Sequence, residues 1–163
     1  NYNFFHMNRD CVYIYNNLIK LTRDKSLYLN LNDSETFSDR LIFLLLHLSF
    51  FLKVFKDQKT REYHQDLHDY IFKQIEISIR EIGYGDVSIN KNMKIYINFF
   101  YDILSKINNW DNLDSSQKSE ILIKIINNPK NITFYIEYFD KLSIFFKNNT
   151  LNYFTKDIEE FKI

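Results

Sequence analysis

Both glycines of this 163-residue chain lie one residue apart, in Ile82-Gly83-Tyr84-Gly85-Asp86. Glycine serves where a backbone must take φ > 0 or come close to something else. The rest of the chain reads as long helix, because its apolar residues recur at three- and four-residue steps. A first helix is predicted over Asp10 to Thr22, with Val12, Tyr15, Leu18 and Ile19 on one side. An irregular stretch, Arg23 to Glu35, follows. Thr36 or Ser38 caps a second helix that ends near Phe55. A third spans Thr60 to Ile82, and Gly83 is placed to stop it as a left-handed residue. Val87, Ser88 and Ile89 then bridge to a fourth helix, Lys91 to Ile107. Trp110 sits in an Asn/Asp-rich loop. Ser115 or Ser116 opens a fifth helix, which ends before Pro129. The sixth, Ile132 to Lys147, carries an apolar stripe that Phe134, Ile136 and Ile144 widen beyond one packing face. A short seventh is predicted from Thr155. The fold class expected is all-α: one domain over residues 1–163, a bundle of six to seven helices.

Composition narrows the function classes. Hydrophobic residues are 45% and aromatics 18%, which suits a packed core. Asn, Ile, Leu, Lys, Phe and Tyr dominate and alanine is absent. That bias looks like an AT-rich coding system, so the aromatic excess is weak evidence for base stacking. Lys+Arg 21 balances Asp+Glu 21, whereas proteins that clamp many phosphates usually show a basic excess. The single cysteine, Cys11, rules out an internal disulfide framework and fits a reducing compartment. The apolar run Leu41 to Leu52 is shorter than the ~20 residues a spanning helix needs. His47 and Ser49 interrupt it, so a buried core helix is expected and the chain reads as soluble or membrane-associated, not integral.

Few residue patterns carry chemistry. Gly83-x-Gly85 follows a helix instead of a strand, lacks a third glycine and has no Gly-Lys-Ser/Thr nearby, so it is no nucleotide loop. His64 and His68 have the i, i+4 spacing of a zinc pair. Gln65 stands where a metalloprotease needs its glutamate, and no third ligand is evident. No Ser-His-Asp or Cys-His set is suggested, so an enzyme is disfavoured and no cofactor or metal is expected. Asp86 has two readings: a cap on the segment that follows, or a receiver for an external basic group. Arg80, Lys91 and Lys94 form a small basic cluster about the turn. It reads either as the solvated face of a helix or as a contact to an acidic partner.

The segment Ile79-Arg80-Glu81-Ile82-Gly83-Tyr84-Gly85-Asp86-Val87, with Ile89, Lys91, Met93 and Lys94 after it, resembles the signature of the ubiquinol–cytochrome c chaperone family. Asp69 and Phe72 fit the helix before that signature. Thr36-Phe37-Ser38-Asp39-Arg40-Leu41, then Leu46-His47-Leu48, resembles an upstream stretch. Leu18 to Tyr28 is similar to the family's first helix, with Arg23 and Tyr28 in register. The similarity covers Cys11 to Trp110, and order and spacing make it specific. There are departures. Phe100-Tyr101-Asp102-Ile103 lacks the glycine and arginine expected there, Asp39 replaces a glycine, and a proline before Thr36 is missing.

The resemblance implies a helical, non-enzymatic assembly chaperone for cytochrome bc1. Family members act with a small partner protein, bind newly made cytochrome b, and associate with the mitochondrial ribosome. It implies the matrix side of the mitochondrial inner membrane, or the cytoplasmic face of a bacterial one, with peripheral membrane association. The partner-binding residues it suggests are Arg40, His47, Arg80, Glu81, Gly83, Gly85, Asp86, Lys91 and Lys94. Arg80, Glu81 and Asp86 are equally readable as an internal polar lock. The wide stripe of the sixth helix could dock a client or pack against two neighbours. Two other functions stay open: a permanent subunit of a respiratory complex or mitoribosome, and a carrier with an aromatic-lined cavity.

Overall fold

The computed structural model describes residues 4–159 and 161. It contains α1 (Phe4–Thr22), α2 (Ser26–Leu29), α3 (Phe37–Phe55), α4 (Arg61–Glu81), α5 (Asp86–Ile107), α6 (Ser115–Ile125) and α7 (Ile132–Lys147). Short 3-10 turns occupy Trp110–Asn112 and Leu151–Phe154. Among the described residues there is no strand, only an isolated bridge between Leu31 and Pro129. The all-α expectation therefore holds.

The apolar run explains why α3 is central. A helix that is apolar on every side must be surrounded, and α3 packs against α1, α5 and α7. Every residue from Phe43 to Phe51 is buried. Phe50 stacks on Phe139 with ring centroids 5.2 Å apart and meets Trp110 edge-on at 5.3 Å. Phe51, Phe55, Phe146 and Phe154 form a second cluster. Each such ring contributes about 1.5–3 kcal/mol by burial, plus geometry-dependent ring contacts. The volume that alanine would leave empty is filled by aromatic side chains.

The helix starts follow from short polar side chains. Thr36 Oγ1 accepts the Asp39 N–H at 3.1 Å, and Asp39 returns a carboxylate to the Thr36 N–H at 2.9 Å. This capping box gives a purpose to Asp39, the residue that departs from the family glycine. Thr60 caps α4 through the Tyr63 N–H. α6 opens at Ser115 as expected, capped by Asp114 in a second box with Gln117.

Several boundaries differ from expectation. α1 starts at Phe4, six residues before Asp10. The stretch predicted irregular contains α2. α5 begins at Asp86, so Val87, Ser88 and Ile89 are its first turn and not a bridge. No helix begins at Thr155. The chain beyond Phe154 is instead tied to α1, where Asn17 Nδ2 donates to the carbonyls of Phe154 and Lys156, both at 2.9 Å. Asp157 pairs with Lys20 in place of opening a helix. The wide stripe of α7 also resolves. Phe134 packs on Tyr135 and Tyr138, while Phe145 meets Phe146, Tyr153 and Phe154. That face serves neighbours within the chain, and only Ile144 stays exposed, at 56%.

Candidate interaction site at the glycine turn

α4 and α5 form a hairpin whose turn holds both glycines. Gly83 has φ +98°, a conformation most side chains avoid. Its N–H bonds to the Arg80 carbonyl at 3.0 Å, which stops α4. Gly85 is different. Its φ of −75° and ψ of 162° suit any residue, and no atom lies within 4 Å of where a Cβ would stand. It is the N-cap of α5 with no side chain to cap it, and its carbonyl accepts the Ile89 N–H at 2.9 Å. Only the first glycine is required by the fold.

Arg80 braces the turn. Its guanidinium donates to Asp86 Oδ1 at 2.6 Å and to Glu76 Oε1 at 3.2 Å. Hydrogen bonds from Arg80, then Lys73, hold the Glu76 carboxyl below the usual carboxylate range. Asp86, then Glu76, pushes the Arg80 pKa up. The polar lock is thus present, with Glu76 as a member in place of Glu81. It lies in solvent, where such pairs contribute little and are screened by salt. Arg80 drops out of the expected basic cluster because its charge is already matched.

What remains free at this end is mixed. Residues 80–88 are all exposed, and Ile89 is the first fully buried residue of α5. Ile82 is 51% exposed, Tyr84 49% and Val87 85%. These apolar side chains form the tip; they lie within the signature segment but outside the partner-binding residues it suggested. Their signal was available: three apolar residues crowd the turn where a polar loop would be ordinary. Lys91 and Lys94 are exposed and enter no ion pair among the described residues. At about 100° per residue, Val87, Lys91, Lys94, Asn98 and Tyr101 fall on one outer face of α5. Tyr101 leans back onto α4, where its ring stacks on His68. Glu81 is exposed next to the brace without joining it.

The other expected site residues lie elsewhere. Arg40 is on the first turn of α3, 3.6 Å from Glu35. With Arg23 and Tyr28 it lines a cavity of about 420 Å³ between α1, α3 and α4. His47 is no contact residue, because it is fully buried. Its Nδ1 is 2.6 Å from the Phe43 carbonyl, which can only accept, so Nδ1 carries the proton. Nε2 then accepts from the Tyr138 hydroxyl at 2.6 Å. Burial lowers the His47 pKa to about 4 and keeps the ring neutral. His64 and His68 share a helix face, yet no group of three possible metal ligands occurs among the described residues. Cys11 is buried and its pKa is pushed up to about 11, first by burial and then by Asp66 and Asp10. Among the described residues, no helix is long and apolar enough to cross a membrane.

No curated protein and no solved structure matches the chain. A family model described as Ubiquinol-cytochrome C chaperone matches residues 29–128. The match runs from the end of α2 through α6 and contains the whole α4–α5 hairpin. It starts later than the resemblance in α1, and it continues past Trp110 to Asn128. Because it spans more than half of the sequence, the chain belongs to the ubiquinol–cytochrome c chaperone family.

Proposed function

We propose that this protein is a non-enzymatic assembly chaperone for complex III, and that it grips its partners through the tip and outer face of the α4–α5 hairpin. The observation that carries this reading is the exposed apolar triad Ile82, Tyr84 and Val87, held on a braced turn inside the family-matched region. Apolar side chains that a fold does not use, rimmed by charge, mark contact surfaces. Lys91 and Lys94 add a positive rim suited to an acidic neighbour. The client is newly made cytochrome b, held together with a small partner protein at the inner-membrane surface, and the ribosome that makes it is a further contact. Gly83 sets the angle between α4 and α5, so the tip is presented without an ordering cost at binding.

The test is affinity purification from native membranes with the full chain, beside thermal melts. Val87→Asp and Tyr84→Ala alter exposed side chains. They are expected to leave the melt unchanged while capture of partner and cytochrome b is lost. Asp86→Ala removes a solvent-exposed pair and is expected to melt near the parent. If Asp86→Ala unfolds in step with lost capture, the turn is a structural device and the recognition reading fails. Stoichiometric recovery with the mature complex, and none with assembly intermediates, would instead make the chain a permanent subunit.

A further inference from the structure

The opposite end of the same hairpin carries a second, unrelated feature. α4 has 21 residues, so its first turn lies roughly 30 Å from the glycine turn. There the end of α3, the start of α4 and the end of α5 enclose a cavity of about 370 Å³, lined by Leu52, Lys53, Lys56, Arg61, His64, Leu104 and Asn108. The volume is that of a small-ligand cleft. Its walls are mostly apolar, with Leu52 and Leu104 from facing helices.

The charges at this cavity have one sign. Lys53, Lys56 and Arg61 line it and no carboxylate does. Lys53 is partly matched by Asp111 at 2.9 Å, an aspartate shared with Lys147 at 2.8 Å. Lys56 and Arg61 are exposed and enter no ion pair among the described residues. Asp57 and Glu62 are close in sequence but lie outside the lining. Arg61 and His64 belong to the first turn of α4, whose dipole adds positive potential.

His64 forms part of the wall. Both its ring nitrogens are buried with no hydrogen-bond partner. Burial lowers the His64 pKa, opposed by the carbonyls of Lys56 and Phe55 beside the ring and by the Asp57 carboxylate. The ring nitrogens face these carbonyls and not the cavity, so His64 contributes wall and no contact to its occupant.

We infer that this cavity binds an anionic amphiphile: a phosphate or carboxylate head held by Lys56, Arg61 and Lys53, with a short alkyl chain lying between Leu52 and Leu104. The head alone would leave the apolar walls uncovered, and an alkyl chain alone would leave three cations unused. The assignment is independent of the glycine turn.

Isothermal titration calorimetry on the full chain tests it, with octyl phosphate, octanoate, octanol and inorganic phosphate as probes. Octyl phosphate is expected to bind, octanoate more weakly, and the other two at least tenfold more weakly than octyl phosphate. Lys56→Gln and Arg61→Gln should each weaken octyl phosphate by about tenfold, the loss of one charge-assisted contact. Both replace exposed side chains, so thermal melts should match the parent. Raising the salt should weaken binding further. Inorganic phosphate binding as tightly as octyl phosphate would overturn the amphiphile assignment, and so would octanol doing so. Absence of octyl phosphate binding, or binding that survives both substitutions in folded protein, would overturn the site itself.

Discussion

His47 lies in the most apolar helix of the chain, and lowering the pH from 7.5 to 5 perturbs it in isolation from most other groups. The folded-state pKa is about 4, because burial disfavours the charged ring. In the unfolded chain it returns to about 6.5. Between those values the unfolded state binds more protons, so stability falls as the pH drops, with the loss complete near pH 4. At pH 5 the difference amounts to about 2 kcal/mol, and the plateau to about 3 kcal/mol. Trp110 is the only tryptophan and is 1% exposed, so urea unfolding can be followed by its fluorescence at each pH. The control is the double variant His47→Leu with Tyr138→Phe. It removes both partners of the buried pair and leaves no orphan between them, which keeps the cost small. Its loss between pH 7.5 and 5 should be smaller than the parent's by about 2 kcal/mol. His64 also has a lowered pKa and pulls in the same direction, but it is present in both proteins and cancels. Equal losses in parent and double variant would refute the argument, since His47 would then titrate as if it were not buried.

Two further outcomes follow from the backbone and from the pinned tail. Gly83→Ala should destabilise by about 1–2 kcal/mol through φ strain alone, as nothing crowds the added Cβ. Gly85→Ser should be neutral or stabilising by a few tenths of a kcal/mol, because it adds an N-cap. Chemical denaturation of the two variants side by side checks the contrast. Asn17→Ala leaves the Phe154 and Lys156 carbonyls without their donor. It should cost about 1–3 kcal/mol and raise amide exchange in residues 154–158 before the rest of the chain.

How much of this was legible depended on whether a signal was local. Helix 132–147 could be read to the residue because its apolar stripe is dense and Asn-Pro and Asn-Asn flank it. Gly83 could be read because a left-handed residue after a helical run has few alternatives. The start of α5 was misplaced because an uncapped glycine and an aspartate look like a loop. Only the burial of Ile89 and its bond to the Gly85 carbonyl show that the helix has already begun. The expected helix at Thr155 lost to tertiary bonds from Asn17 and Lys20, more than 130 residues upstream. His47 matched the family pattern in register, and a pattern match cannot tell a contact residue from a core one. That distinction rests on Tyr138, 91 positions away.

The hairpin explains why both proposed sites can coexist with a tightly packed core. Its middle is anchored by Ile71, Phe72, Ile75, Phe100 and Ile103, all buried. Each end keeps core anchors, Ile79 and Ile89 at one and Tyr63 and Ile107 at the other, while one exposes Val87 and Tyr84 and the other surrounds an apolar cleft with cations. Substitutions of the exposed side chains at either end therefore leave the anchors intact, and a binding defect there can be read as a binding defect. Gly85 sharpens the point. Serine in its place would cap α5, and nothing inside the chain asks for glycine. The fold gains nothing from that residue, so any demand for a bare backbone there has to come from what the turn meets.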